Sequence, residues 1–313
     1  ALLLIASIFT AQAKTYLAQG LYETAKNRVE QVMICLGNER VRRGIGSPVP
    51  YLNGGANHKA TDWSLTMARA QVVLGCCYQH LRRPDWSMRC FQDALHIQRY
   101  ILGNESVQVA ETLRGMGDLH LSQCMLGPAA GCYQEALRVY RYVLPLQQGI
   151  FHLAACVAAD TATILTSLGW ISLLQHDLSS AWNTTMEALR LATRTNGKHH
   201  RNVASIRYQL GWIQWWSNPT LTESPSTVLS DWKRVLKHQE QALKRVPTRH
   251  EQQEQMNEQD SDRNFRRRRH VDLAKTLHAI GHAYHAAGRP QKSQHAMNGA
   301  EEIYKTNLPP SSK

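Results

Sequence analysis

Apolar residues along this chain recur in blocks, each with one small residue at its centre: Gly75, Gly117, Gly169, Gly211 and Gly281. Counting from these anchors, alanine stands seven residues earlier, at Ala68, Ala110, Ala162, Ala204 and Ala274. A large apolar side chain stands one earlier, at Leu74, Met116, Leu168, Leu210 and Ile280. Offsets −7, −4, 0 and +3 fall on one face of an α-helix, so each block predicts an amphipathic helix with a narrow, small-residue seam. A second helix is predicted after each, because alanine recurs at +19 (Ala94, Ala136, Ala188 and Ala300) within the phrases Asp93-Ala-Leu95, Glu135-Ala-Leu137 and Glu187-Ala-Leu189. For Gly211 the +19 place is assigned to Ala242, which implies a 12-residue insertion. Ala13 anchors a weaker opening copy, with Gly20 seven residues on and Tyr22, Ala25, Val29 and Val32 at second-helix core places.

Two anchor intervals, Gly75 to Gly117 and Gly169 to Gly211, are 42 residues long. A period of this length is the mark of stacked supersecondary units, none of which buries its apolar face alone. Turns between the paired helices are placed at Gly20, Arg83-Pro84, Gly127-Pro128 and Gly288-Arg-Pro290. The reading is all-α: a right-handed α-α superhelical solenoid of six helix pairs at approximately 1–37, 63–103, 107–144, 158–196, 200–246 and 271–306, forming a single array over 1–313. A Gly/Pro-rich loop is expected over 37–62. The stretch 246–270 is polar, with the run Arg266–Arg269, and is expected as a mobile charged linker or a frayed helix extension.

The phrases Val109-Ala-Glu-Thr-Leu-Arg-Gly-Met-Gly117 and Tyr133-Gln-Glu-Ala-Leu137, with the 42-residue period, resemble the tetratricopeptide repeat, and most of all its kinesin light chain subtype. The resemblance implies a non-enzymatic scaffold or adaptor that binds a protein or peptide segment in a concave groove lined by the first helices. Groove residues are those at −6, −3, +1, +4 and +5 from the anchor. On the later first helices these give Trp170, Leu173, Tyr208, Trp212, Trp215, Trp216, His278, His282 and His285, with Arg69, Arg114 and Lys275 as basic groups. Aromatic side chains at a concave surface anchor peptide side chains well, but tryptophan at these places also fits packing between neighbouring helices; both readings stand. The chain departs from the kinesin light chain pattern at −3, where Val72, Arg114, Thr166, Tyr208 and His278 replace the asparagines that would hold a peptide backbone.

The formal net charge is +12, which suits an acidic protein or peptide segment and leaves nucleic acid as a second class of partner. An RNA-associated protein, or a structural subunit of a large complex, is the alternative function on that basis. No catalytic residues, cofactor or metal are assigned. His278, His282 and His285 have ligand-like spacing, but no H-E-x-x-H pattern accompanies them. Seven cysteines, an odd number without C-x-x-C spacing, are the usage of a reduced intracellular compartment, in the first instance the cytoplasm. An organelle is the alternative if the N-terminus is a processed end. The apolar run Ala1–Phe9 is too short to span a membrane and is read as the first helix of the array.

Overall fold

Five of the first helices stop in the same way. The residue seven places after the anchor takes a left-handed backbone: Gly20 (φ 87°), Arg82 (60°), Cys124 (60°), His176 (60°) and Gly288 (67°). The next residue's N–H donates to the carbonyl five residues back, at Leu21→Tyr16, Arg83→Tyr78, Met125→His120, Asp177→Ser172 and Arg289→Tyr284. This closes a Schellman-type turn, which satisfies carbonyls that a helix end leaves open.

The computed structural model describes residues 2–42, 58–146, 151–198, 200–217, 225–244 and 259–307, and among these there are twelve α-helices and no strand. They are α1 (Leu2–Gln19), α2 (Tyr22–Arg42), α3 (His58–His80), α4 (Pro84–Leu102), α5 (Val107–Ser122), α6 (Leu126–Leu146), α7 (Phe151–Leu174), α8 (Leu178–Asn196), α9 (Arg201–Ser217), α10 (Pro225–Lys244), α11 (Gln259–Ala286) and α12 (Pro290–Asn307). Second helices begin nine residues after the anchor, at Tyr22, Pro84, Leu126, Leu178 and Pro290. Proline suits this place, since the first helical turn has no use for its missing N–H. Gly127-Pro128 therefore lies inside the first turn of α6 and not in the connection, which Cys124 and Met125 make instead.

The expected insertion in the fifth pair is corrected. α10 begins at Pro225, fourteen residues after Gly211, so five residues are added, not twelve. Val235, 2% exposed, then holds the place assigned to Ala242. The helices also run into both expected loops. α2 continues to Arg42 and α3 starts at His58; α11 starts at Gln259 and carries Arg266–Arg269 on helical backbone. Helix-forming Glu39, Arg40, Lys59 and Ala60, and the arginines themselves, account for these extensions. The remainders, 43–57 and 245–258, lie outside the described residues.

Two compact units divide the chain at Val157/Ala158. In unit 1, α1/α2, α3/α4 and α5/α6 are paired helices, and α2 on α3 and α4 on α5 stack the pairs. In unit 2, α8 packs on α9, α9 on α10, α10 on α11 and α11 on α12. Within both units the anchor glycines meet the residue sixteen places on in the partner helix, or twenty-one places on in the fifth pair with its five added residues. A Cβ on Gly75 would lie 2.9 Å from the Phe91 ring, one on Gly117 2.7 Å from the Tyr133 ring, and one on Gly281 2.9 Å from Met297. Gly169 likewise faces Thr185, and Gly211 faces Trp232. These glycines let helix backbones approach closely, and burial of each facing aromatic ring contributes on the order of 2 kcal/mol.

The segment 154–174 is long and apolar enough to cross a membrane by length and composition, and 56% of it is buried within the protein. Ile164, Leu165, Leu168 and Ile171 are core residues there. All seven cysteines are free thiols.

Candidate functional site

The first helices of unit 2 present their groove places unequally, and helical geometry explains why. At about 100° per residue, +4 lies roughly 40° from the anchor, −3 about 60°, +1 about 100°, −6 about 120° and +5 about 140°. Side chains at +4 thus turn back towards the second helix. Leu173 is 8% exposed and belongs to the core with Ala181, Leu210 and Ile213, so its assignment to an open groove is corrected. Trp215, also at +4, lies 6.2 Å from the ring of Trp232 and is partly buried against it. Trp216, at +5, is 54% exposed and meets His176 edge-on at 5.9 Å.

The +1 tryptophans are intermediate. Trp170 packs partly against the Leu173 cluster. Trp212 touches that cluster and the one around Val228 and Ile280, and stands 5.2 Å from Trp232. Tyr208, at −3, lies 6.3 Å from both Trp212 and Trp232, and its hydroxyl reaches the Lys275 carbonyl at 3.5 Å.

Trp232 is the hub of this aromatic group, and it was not among the residues singled out from the sequence. It is fully buried and its indole N–H donates 3.2 Å to the Tyr208 carbonyl, which satisfies the one polar atom that burial would penalise. Its signal was present in the sequence: with a five-residue insertion it falls at the same place as Phe91 and Tyr133.

α11 supplies the open edge. Lys275, His278, His282 and His285 are all exposed along one stripe. The His278 and His282 rings meet at 4.6 Å, and His282 stands 6.5 Å from Trp212. Burial, followed by the neighbouring His278 and His285, holds His282 below the ordinary histidine range. At neutral pH the His282 imidazole is therefore neutral, able to donate and accept hydrogen bonds. Among the described residues, no three His, Cys, Asp or Glu side chains are grouped to hold a metal ion.

In unit 1, Arg69 is exposed on α3. Arg114 is half-buried and 3.7 Å from Asp118, whose other oxygen accepts the Tyr133 hydroxyl. Burial raises the Asp118 carboxyl, with Arg114 and Tyr133 opposing. His80 stacks on Tyr22 at 4.3 Å, and burial lowers its basicity. Arg114 is thus engaged in an internal polar group, unlike Arg69.

Residues 66–141 match the tetratricopeptide repeat family. Several solved structures are similar to the chain over most of its length. BtubC (BKLC) from P. vanneervenii superposes with a TM-score of 0.58 at 16% identity, covering 93% of this chain and 95% of that one. The Rap conjugation gene regulator of plasmid pLS20, in complex with the Phr* peptide, gives 0.54 at 10% identity, over 96% and 75%. A kinesin light chain with nearly identical TPR-like repeats from Podosopora anserina gives 0.50 at 13%, over 77% and 97%. At these identities the likeness is one of fold: stacked helix pairs of the tetratricopeptide kind. No curated protein matches the chain.

Proposed function

We propose that this chain is a non-enzymatic interaction scaffold that takes a peptide or protein segment along the first helices of unit 2. The observation that carries this reading is the contiguous edge of Lys275, His278 and His282 on α11, beside the half-buried Trp212 and Tyr208 of α9. Such an edge combines fixed aromatic surface with adaptable donors and acceptors, the combination that gives peptide sites both area and orientation. Trp232 locks the aromatic rings from behind, so little ordering cost falls on binding. The fold likeness to the Rap regulator, a protein solved with a peptide, adds support to a peptide-sized occupant. The kinesin light chain-like repeat subtype and an acidic preference in the ligand, suited by Lys275 and the net charge of +12, belong to the same proposal.

Selection of binders from a random-peptide display library with the full chain, followed by hydrogen-exchange mapping of the best peptide, tests the reading. Protection over 201–217 and 270–286 is expected. Protection confined to unit 1 or to the convex second helices contradicts it.

A further inference from the structure

The second helices share an outer stripe, and its chemistry changes along the chain. Places +18, +21 and +25 from the anchor follow one another at helical spacings of three and four, and so lie on one face. In α4 they hold Asp93, His96 and Tyr100, and in α6 Glu135, Arg138 and Tyr142: an acid, a base and a tyrosine each time. Arg138 is paired with Glu105 at 2.8 Å, and Glu135 with Arg99 at 2.6 Å. In α8 the same places hold Glu187, Arg190 and Arg194; in α10, with its five added residues, they hold Arg234, Lys237 and Gln241. The tyrosines are gone, and four cations stand with one half-buried carboxylate, Glu187.

Packing turns these cations outwards. Arg190 and Arg194 stand two residues after the buried Ala188 and Ala192, and Arg234 and Lys237 two after the buried Trp232 and Val235. Two residues are about 200° of helix, so each cation points away from the face that its helix buries. All four are exposed. α8 and α10 both pack on α9 as second helices of neighbouring pairs, which sets the two pairs of charges on one side of unit 2. Arg234 lies 3.6 Å from Asp231, a solvent-exposed pair of small effect. Among the described residues, Arg190, Arg194 and Lys237 make no ion pair. Like charges four residues apart oppose the helix that carries them. The dipole at the end of α8 favours Arg194, but it reaches only the last turn and does not account for the other three.

We propose that this face of α8 and α10 holds a nucleic-acid strand by its phosphate backbone, without reading bases. Protein interfaces centre on aromatic or apolar anchors, and helices that lie in a lipid surface insert such anchors. Among the described residues of α8 and α10, no exposed side chain is apolar or aromatic. Phosphates ask only for cations, and the arginine fork takes two phosphate oxygens at once. Arg190 and Arg194 are separated by about 6 Å along the helix axis, a rise that about two nucleotides span. The face uses none of the residues of the proposed peptide edge, so each site stands or falls alone.

The test is fluorescence anisotropy of a labelled oligo-dT strand of about 20 nucleotides against the full chain, at sodium chloride from about 50 to 300 mM. The variant is Arg190→Gln/Arg194→Gln/Arg234→Gln/Lys237→Gln. A control, Arg82→Gln/Arg83→Gln/Arg89→Gln/Lys292→Gln, removes the same number of exposed charges elsewhere. Glutamine forms helix about as well as arginine and lysine, so both proteins should keep their far-UV circular dichroism and unfolding midpoint. Affinity for the strand should fall at least tenfold in the variant and less than about threefold in the control. The slope of log affinity against log salt should become shallower by about 3 in the variant, roughly 0.7 for each lost phosphate contact. A parent that does not bind the strand, equal losses in the two mutants, or a parent that binds phosphatidylserine vesicles and not the strand would each overturn it.

Discussion

The Ser87 hydroxyl donates a hydrogen bond of 2.8 Å to the carbonyl of Gly75, its repeat's anchor, and Ser293 does the same to Gly281 at the same distance. Both serines sit twelve residues after the anchor, where the other pairs have Ala25, Ala129, Ala181 and, after the five added residues, Val228. The contact ties α4 to the backbone of α3 and satisfies a buried hydroxyl. Ser87→Ala should cost about 1 kcal/mol, the ordinary net value of such a bond, whereas Ser87→Leu should cost several-fold more through overpacking. Urea unfolding of both variants checks this, with the leucine variant melting at clearly lower denaturant.

The glycine seam gives a sharper prediction. Gly117→Ala places a methyl 2.7 Å from the Tyr133 ring, whose hydroxyl is tied to Asp118 and cannot swing freely. A loss of about 1–3 kcal/mol is expected. Gly127→Ala and Gly131→Ala, where a Cβ meets nothing within 4 Å, should be neutral or mildly stabilising by comparison. A chemical-denaturation series of the three variants checks the contrast.

Left-handed turns occupied by ordinary residues offer stabilising changes. Arg82, Cys124 and His176 hold φ 60°, in the left-handed region that Gly20 and Gly288 occupy in the sister turns. Replacing each by glycine should raise stability by about 0.5–1 kcal/mol, because the Cβ strain removed exceeds the extra chain entropy glycine introduces. Thermal melts of His176→Gly, whose helices are otherwise intact, read the effect most simply.

Much of this architecture was legible in the chain, for a physical reason. The anchors, the −7 alanines and the turn prolines are imposed by close helix approach and by backbone conformation, and few residue types satisfy either. The fifth pair was misread because Ala242 matched a residue type while Trp232, a large ring at a place held elsewhere by Phe91 and Tyr133, marked the true spacing. The candidate site was legible in position but not in exposure. Trp170, Trp212 and Trp215 lie near the boundary between the core and groove sectors, where a few tens of degrees separate an anchor for a partner from a brace for a neighbouring helix.

Acidification should weaken the fold. Burial lowers His80, His120 and His282 below the free histidine value of 6.5, so in the window just below that value the unfolded chain takes up more protons than the folded one. Stability conferred by these groups is present above pH 6.5 and falls as pH drops through it. Asp118, raised by burial, acts in the opposite direction, losing stability as pH rises from 3.8 towards its folded value. The urea midpoint should therefore be lower at pH 5.5 than at pH 7.5, and His282→Gln should shrink the difference.

Thiol chemistry should divide by burial. Cys77 is fully buried and its pKa is pushed up to about 12, while Cys76 and Cys90 are raised to about 11. Cys35, Cys124 and Cys156 are exposed. Ellman's reagent at pH 8 should react with these three in a fast phase, with Cys77 reacting only as the protein unfolds.

The central claim is that the α9–α11 surface binds a peptide segment. Isothermal titration of a library-selected peptide against the full chain and against the exposed-residue variant Trp216→Ala/His278→Ala/His282→Ala tests it most directly. A loss of affinity of tenfold or more, with the variant's unfolding midpoint unchanged, is the predicted result; equal affinity in the two proteins would contradict the account.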